Sequence, residues 1–365
     1  MAIMAPVNVR LNPVGLAVGV AVIISIFFYI FGLPGLFRQE QRISMKEILS
    51  VSVELARRGG SRVKSIVEAK NGLEAQVKGK TKEGAKEMLT QGDLQSHKAI
   101  FYGFEKAFPG LRVLSEEHDT EPVDLNTIPS VNKELEEVMD IVLSDQSIPM
   151  NSIAIWIDPL DATQEYTEAL YQYVTTMVCV VVNGEPRIGV IHRPFSDETV
   201  WAWVGYGHST NLKKAENVKY DTKKKKIIVS RSHKGAVEEV AREAFGEDTE
   251  VIGAGGAGYK VLEVIKGNVN AYTHVTLIKK WDICAGNAII SAMDGKMTTL
   301  EGNIIDYSPF NDYKNDKGLL ATLYDHFDYL EKLAPAVEKY KKNTDKKTLE
   351  KKPHESKDEE KRPSR

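Results

Sequence analysis

The stretch Trp156-Ile157-Asp158-Pro159-Leu160-Asp161-Ala162-Thr163 concentrates chemistry into a few residues. It follows the apolar run Ile153-Ala154-Ile155, so it reads as the end of a buried strand from which Asp158 and Asp161 project at a proline-stiffened turn. Two carboxylates, the carbonyl between them and a hydroxyl are the hard oxygen donors that a small divalent cation takes. Asp-Pro turns also arise for purely local reasons, and two distant stretches tip the reading toward a site. Leu114-Ser115-Glu116-Glu117-His118 follows an apolar segment, and Trp281-Asp282-Ile283-Cys284-Ala285-Gly286 opens an apolar helix. Carboxylates therefore come from three places: Glu116, the Asp158/Asp161 pair and Asp282.

These three stretches, in this order, resemble the metal-site motifs of the lithium-sensitive, Mg2+-dependent phosphomonoesterases of the inositol monophosphatase superfamily. That superfamily also holds fructose-1,6-bisphosphatase and the 3'(2'),5'-bisphosphate nucleotidases. The similarity covers residues 43 to 335. The family's turn is Asp-Pro-hydrophobic-Asp-Gly-Thr, and here Ala162 stands in the glycine's place. A methyl group narrows the backbone choices at a tight turn, which leaves the spacing of the metals open at this point.

The resemblance implies two or three Mg2+ ions held by Glu116, Asp158, the Leu160 carbonyl, Asp161 and Asp282. It implies that Thr163, held by Asp93, orients or deprotonates the attacking water. Asp93 has a second reading, as the N-cap of a helix over Leu94–Phe108, because Asp is favoured at that position. Glu117 reads as a group that orients ligands or bound water from behind. Two loops of the second half complete the picture. Ser230-Arg231-Ser232-His233 ends a strand, and Gly253 to Lys260 is a glycine-rich run opening a helix. Bare amides at a helix N-terminus beside a lysine make an anion site, although the Gly-Lys-Ser/Thr ending of a P-loop is missing. By resemblance to the nucleotidase branch, Ser230 and His233 lie near the sugar or the base-side phosphate, and Gly256 and Lys260 contact the phosphate that is not cleaved.

The remaining elements must position these groups. A chain of 365 residues, 42% hydrophobic and 27% charged, has ample core for one large domain or two small ones. Its net charge of -3 argues against a nucleic-acid binder. Helical periodicity marks Ser44–Arg58, stopped by Gly59-Gly60, and again Ser61–Lys70. Lys78–Gly84 reads as a basic loop. The acidic segment from Asp119 to Met150 reads as an insertion with a short helix. Thr175–Val182 is a buried strand, Asn183-Gly184 a hairpin turn, and strands and helices alternate from Ile227 onward. The resemblance implies an α/β fold, the layered α/β/α/β/α sandwich of the superfamily, with subdomains over roughly 43–210 and 211–335. Cys179 and Cys284 read as two buried thiols.

A short tail, 1–13, precedes an uncharged run over 14–37, long enough to cross ~30 Å of hydrocarbon as one anchor. The flanking Arg residues do not decide its orientation. The resemblance implies a Golgi membrane location with a cytosolic N-terminus and a lumenal catalytic domain. Residues 338–365 have a disordered, charged composition. By the same resemblance, the expected activity is hydrolysis of the 3'-phosphate of adenosine 3',5'-bisphosphate to AMP and phosphate, clearing the by-product of sulfation. The protein would bind the membrane but no nucleic acid, and an oligomer is compatible with this reading. Two rivals remain open: an inositol-phosphate phosphatase using the same metals, and a membrane-tethered binding protein on an inactive phosphatase fold.

Overall fold

A computed structural model describes residues 12–31, 40–69, 75–80, 86–119, 122–215, 224–231, 234–308 and 312–350. The chain divides into two units, Met1–Arg42 and Ile43–Arg365. The first holds helix α1 (Pro13–Phe31), an uncharged segment whose Val14, Leu16, Val18 and Ile23 are exposed. Among the described residues no helix is long and apolar enough to cross a membrane. The structure therefore does not show the expected span over 14–37, of which 32–37 lie outside the described residues.

The second unit runs β1 (Arg42–Ser44), α2 (Met45–Glu68), β2 (Gln76–Lys80), β3 (Lys86–Leu89), α3 (Gln91–Ala107), β4 (Arg112–Ser115), α4 (Glu136–Ile141), β5 (Ser147–Pro149) and β6 (Ile153–Asp161). It continues through α5 (Thr163–Thr167), β7 (Thr175–Val182), β8 (Glu185–Arg193), β9 (Glu198–Trp203), β10 (Gly207–His208), β11 (Lys226–Ser230), α6 (Lys234–Phe245), β12 (Glu250–Ala254) and α7 (Ala257–Ile265). It ends with β13 (Ala271–His274), β14 (Ile278–Lys279), α8 (Lys280–Ala292), β15 (Lys296–Thr298), β16 (Lys314–Asn315), β17 (Leu319–Thr322) and α9 (His326–Glu350).

Two sheets carry the fold, in the orders β10-β9-β8-β7-β6-β4 and β12-β11-β13-β17-β15. Strand alternation decides what each face meets. Along β6, Ile153, Ile155 and Ile157 enter one core with α2 and α3, while Ala154 and Trp156 enter another with α7 and α8. A strand apolar on both faces is a continuous apolar run, which is why no polar alternation marks it in the sequence. The α7/α8 core also receives Ile228, Tyr272, Leu319 and Ala321 from the second sheet. The opposite face of that sheet gives Ile227, Val229, Ala271 and Leu320 to a core shared with α6 and α9. The packing is thus helices, sheet, helices, sheet, helices, and both faces of each sheet are covered.

Four expectations are corrected. Gly59 and Gly60 do not break the first helix; α2 runs through them. A Cβ on Gly59 would meet the side chains of Ser96 and Ile100 on α3, and one on Gly60 would meet His192 on β8. Their role is close approach between packed elements. The basic stretch read as a loop contributes strand β2, paired antiparallel with β3. Helix α9 continues to Glu350, well into the segment expected to be disordered. Leu333, Ala336 and Val337 pack against the α6 side of the core, and the polar end of the helix is rich in good helix formers. Finally, Cys179 on β7 and Cys284 on α8 are joined by a disulfide rather than standing as two thiols. Packing brings their Cα atoms to 5.7 Å although 105 residues separate them, within the range a disulfide spans.

Candidate metal-dependent phosphatase site

Strand β6 delivers the central motif. Opposite β7, Asp158 pairs with Met177 and Asp161 with Thr175, so three steps on β6 match two on β7. The extra residue is a β-bulge, a device that re-aims side chains where a strand ends. Strand β4 runs parallel to β6, and the Glu116 amide donates to the Ile157 carbonyl at 3.1 Å. Asp282 stands in the first turn of α8, where its Oδ2 accepts from the Lys279 amide at 3.3 Å. One oxygen each of Glu116, Asp158 and Asp282 falls in a group mutually within 4.8 Å.

No bond holds these three carboxylates together, and their charges oppose it. Burial, then Glu116, Asp161 and Asp282, push the Asp158 carboxyl well above the usual range. Burial, then Glu116 and Asp161, do the same for Asp282. Converging carboxylates, Asp158 buried and Glu116 and Asp282 half-buried, with only oxygen donors fit a hard divalent cation, which removes the repulsion and keeps waters of its own. Two lysines that the sequence reading did not single out oppose the charge from outside. Lys78, on β2, pairs with Glu116 at 3.0 Å and with Glu117. Lys279 lies 2.9 Å from Glu87 and 3.8 Å from Glu116. Burial disfavours the Lys78 ammonium, but the two glutamates outweigh it and raise its pKa. The only sequence signal for Lys78 was its place in a basic run, which is the usual mark of a solvated surface.

Asp161, expected beside Asp158 as a ligand, is not one of the three converging groups. Its Oδ1 accepts from the Ala257 amide at 3.1 Å, and its Oδ2 from Gly258 at 2.9 Å and Thr175 Oγ1 at 3.1 Å. The glycine-rich loop does form a helix N-terminus that binds an anion, and the anion is a side chain of this chain. Gly256 sits there at φ 63°, and a Cβ on it would meet the Tyr173 carbonyl and Asp161. Lys260 is fully enclosed and donates to the Gly256 carbonyl at 2.5 Å. Burial lowers its pKa, and Asp161, Glu165 and Asp282 resist that fall.

Asp93 is not the N-cap of α3. Thr90 is, and Asp93 occupies the third helical position, closing a capping box in which its Oδ2 accepts from the Thr90 amide at 2.7 Å. Its other oxygen, Oδ1, lies 3.0 Å from Thr163 Oγ1, so the cap leaves one oxygen to face the motif turn. Burial, assisted by Glu117 and opposed by Thr90 and Lys78, raises Asp93 to about 7. Thr163 Oγ1 is also 3.0 Å from the Leu160 carbonyl. Ala162 adopts the left-handed conformation, φ 69° and ψ 44°, which glycine reaches freely and an L-residue only at a conformational cost.

Glu116, Asp158, Asp161, Thr163, Ser230, Gly256, Lys260 and Asp282 all line one cavity of about 270 Å3, together with Leu160. His233 lies outside the described residues. The cavity walls therefore combine hard oxygen donors, a hydroxyl linked to a carboxylate, and a lysine, the composition of a metal-assisted ester hydrolase.

The Inositol monophosphatase family sequence model matches residues 44–342, and the chain belongs to that family. It is 46% identical over 331 residues to "Inositol monophosphatase 3" of Danio rerio, covering 88% of this chain and 94% of that protein. It is 42% identical over 363 residues to the human "Golgi-resident adenosine 3',5'-bisphosphate 3'-phosphatase", covering 92% and 99% respectively. Among solved structures, CysQ from Bacteroides thetaiotaomicron superposes with a TM-score of 0.55 at 19% identity, covering 77% of this chain and 99% of that one. The last comparison speaks to fold alone.

Proposed function

We propose that the protein is a Mg2+-dependent phosphomonoesterase that removes the 3'-phosphate of adenosine 3',5'-bisphosphate, giving AMP and phosphate. The observation that carries the reading is the cavity shared by the Glu116/Asp158/Asp282 cluster and Thr163, whose hydroxyl is hydrogen-bonded to the buried Asp93 behind it. The human relative's name supports the substrate.

Glu116, Asp158 and Asp282 would hold the cations, with Asp161 and the Leu160 carbonyl bordering them. Bound Mg2+ supplies neutralisation of phosphoryl charge and a more acidic water. The protein's own part is positional. When the Thr163 hydroxyl donates to Asp93 Oδ1, its lone pairs face outward and accept from water. A water so held can pass a proton to Thr163 Oγ1 as that hydroxyl releases its own to Asp93. A carboxyl near pH 7 is well matched to receive it. Glu117, paired with Lys78, restrains that lysine beside Glu116. Ser230, Gly256 and Lys260 border the space for the group that is not cleaved.

The uncharged run over 14–37 is proposed as a membrane anchor, with the catalytic unit from 43 to 335 in the Golgi lumen. Disulfides persist in oxidising compartments, and Cys179–Cys284 supports the lumenal placement. Retention in the membrane pellet after alkaline carbonate extraction is expected; release would refute the anchor.

The zebrafish relative's name favours a second substrate, an inositol monophosphate. Phosphate release by the full chain from adenosine 3',5'-bisphosphate and inositol 1-phosphate, with Mg2+ and with chelator, separates the readings. Chelator-sensitive release from the nucleotide supports the proposal. Preference for the inositol ester overturns the substrate, and silence with both favours a binding protein.

A further inference from the structure

Ser96 lies inside α3, fully buried, and the reaction as described gives it no part. A serine in a helix interior commonly returns its hydroxyl to the carbonyl one turn earlier. Ser52 on α2 does so, donating to the Ile48 carbonyl at 2.6 Å. Ser96 instead donates at 2.6 Å to the Pro159 carbonyl, in the turn between Asp158 and Asp161. We propose that Ser96 is a positioning residue: acting through the Pro159–Leu160 peptide, it fixes the direction of the Asp158 carboxylate for the cation shared with Glu116 and Asp282. The inference rests on the cation reading of the cluster and adds a group that this reading does not contain.

The Pro159 carbonyl belongs to the bulge. Pairing of β6 with β7 skips Pro159 and Leu160, and pairing of β6 with β4 ends at Ile157. No strand therefore holds this buried carbonyl, and the Ser96 hydroxyl does. The peptide it belongs to is a rigid plane, with the Leu160 N–H on the opposite edge. That amide donates to Asp158 Oδ1 at 3.2 Å, and among the described residues it is the one hydrogen-bond donor to the Asp158 carboxylate. One plane thus has Ser96 at its oxygen and Asp158 at its nitrogen. A rotation that frees the oxygen swings the N–H away from Asp158. Like charges drive the three carboxylates apart, so their convergence calls for a hold from outside the cluster.

The surroundings of Ser96 fit this role. A Cβ on Gly59 would lie 2.6 Å from Ser96 Oγ, so the bare glycine of α2 leaves the hydroxyl its place. Asp93, Ser96 and His97 stand three and four residues apart and share one face of α3. Asp93 Oδ1 reaches Thr163 Oγ1, and His97 Nδ1 lies 2.8 Å from Oγ of Ser115, the residue before Glu116. The same face therefore touches the ends of both β4 and β6, the two strands that deliver Glu116 and Asp158.

The test measures cation binding by the full-length protein in detergent, with Mn2+ as the probe, read from the EPR signal of the free ion. Mn2+ takes the same carboxylate and water ligands as Mg2+. Ser96→Ala should raise the Mn2+ Kd by roughly tenfold to a hundredfold, the usual effect of removing a group that orients a metal ligand. Ser96→Thr, which keeps a hydroxyl, should recover most of that affinity. Ile100→Val is the control for packing. It removes a methyl group from the α2 side of α3 and no hydrogen bond, and should bind Mn2+ like the parent. A cooperative melt in chelator establishes that each variant is folded. An unchanged Kd in Ser96→Ala, an equal loss in Ile100→Val, or a Ser96→Thr no better than Ser96→Ala would each overturn the role of Ser96 and leave the cluster standing. A parent that binds no Mn2+ would instead remove the cation site, and the positioning role with it.

Discussion

Thr163 Oγ1 lies 3.0 Å from Asp93 Oδ1, joining the end of a strand to the first turn of a helix seventy residues earlier in the chain. The capping box that fixes Asp93 also points its second oxygen at the motif threonine, so one local interaction starts a helix and aims a carboxylate oxygen at a hydroxyl. Removal of either partner should damage the same step. Thr163→Ala and Asp93→Asn are each expected to lower kcat by about 10²- to 10⁴-fold, the usual range for a proton-transfer group. The double variant should be no worse than the poorer single. Additive losses would show that the two residues act independently.

The carboxylate cluster makes an opposite prediction for stability and for activity. Asp158→Asn deletes a charge that is buried beside Glu116, Asp161 and Asp282. In the presence of chelator the variant should melt at or above the temperature of the parent. Addition of Mg2+ should raise the parent's Tm, by mass action on the folded state, and leave the variant nearly unmoved and inactive. A variant that melts lower in chelator and still responds to Mg2+ would refute the cluster as a cation site.

Ala162 holds a backbone conformation that costs an L-residue roughly 1–2 kcal/mol and costs glycine almost nothing. Glycine's greater freedom in the unfolded chain offsets about 0.5–1 kcal/mol of that gain. Ala162→Gly is therefore expected to stabilise the fold by up to about 1 kcal/mol in denaturant unfolding, with activity preserved. Destabilisation would mean that the left-handed turn is not the native geometry.

His192 carries a pH dependence of its own, outside the carboxylate cluster. Burial, opposed by Asp197 and assisted by Arg57, lowers its pKa from 6.5 to about 4, and its Nδ1 is 2.9 Å from Thr199 Oγ1. The folded state holds this imidazole neutral while the unfolded chain protonates it below pH 6.5. Stability from this residue is complete above pH 6.5 and is lost as pH falls toward 4, by up to roughly 3 kcal/mol. His192→Asn should flatten the slope of unfolding free energy between pH 4 and 6.5. An unaltered slope would place the titration elsewhere.

The Cys179–Cys284 bridge closes a loop of about a hundred residues, for which chain entropy gives up to about 4.7 kcal/mol. Reductant, or the Cys179→Ala/Cys284→Ala pair, should lower the denaturant midpoint accordingly. A midpoint indifferent to both would mean that the native state does not depend on the bridge.

Much of this molecule is legible from local chemistry. Three acidic motifs behind apolar runs name the residues that converge, because buried carboxylates at strand and helix ends have few ordinary reasons to be there. Helix and strand order from Ile227 to His274 follows from the alternation of apolar runs, whereas β14 to β17 and α9 do not announce themselves that way. What the sequence hides is long-range. Gly59-Gly60 reads as a stop because only the packed neighbours Ile100 and His192 reveal that the missing side chains are needed for contact. Lys78 reads as surface because the pairing of β2 with β3, and the glutamates it then meets, lie outside its own segment. Two cysteines 105 residues apart carry no sign of their meeting, and the pairing of Asp161 with the α7 amides required knowing which helix starts beside which strand.

That last pairing makes the molecule a fixed gauge. Asp161 ends the strand bearing Asp158, and its carboxylate is fastened to the two amides that begin the helix bearing Lys260. On the proposed reading, the distance between the cleaved phosphate at the carboxylates and a second group beside Lys260 would be set by one side chain. An ester whose two anionic groups are spaced differently would then meet a ruler that does not stretch.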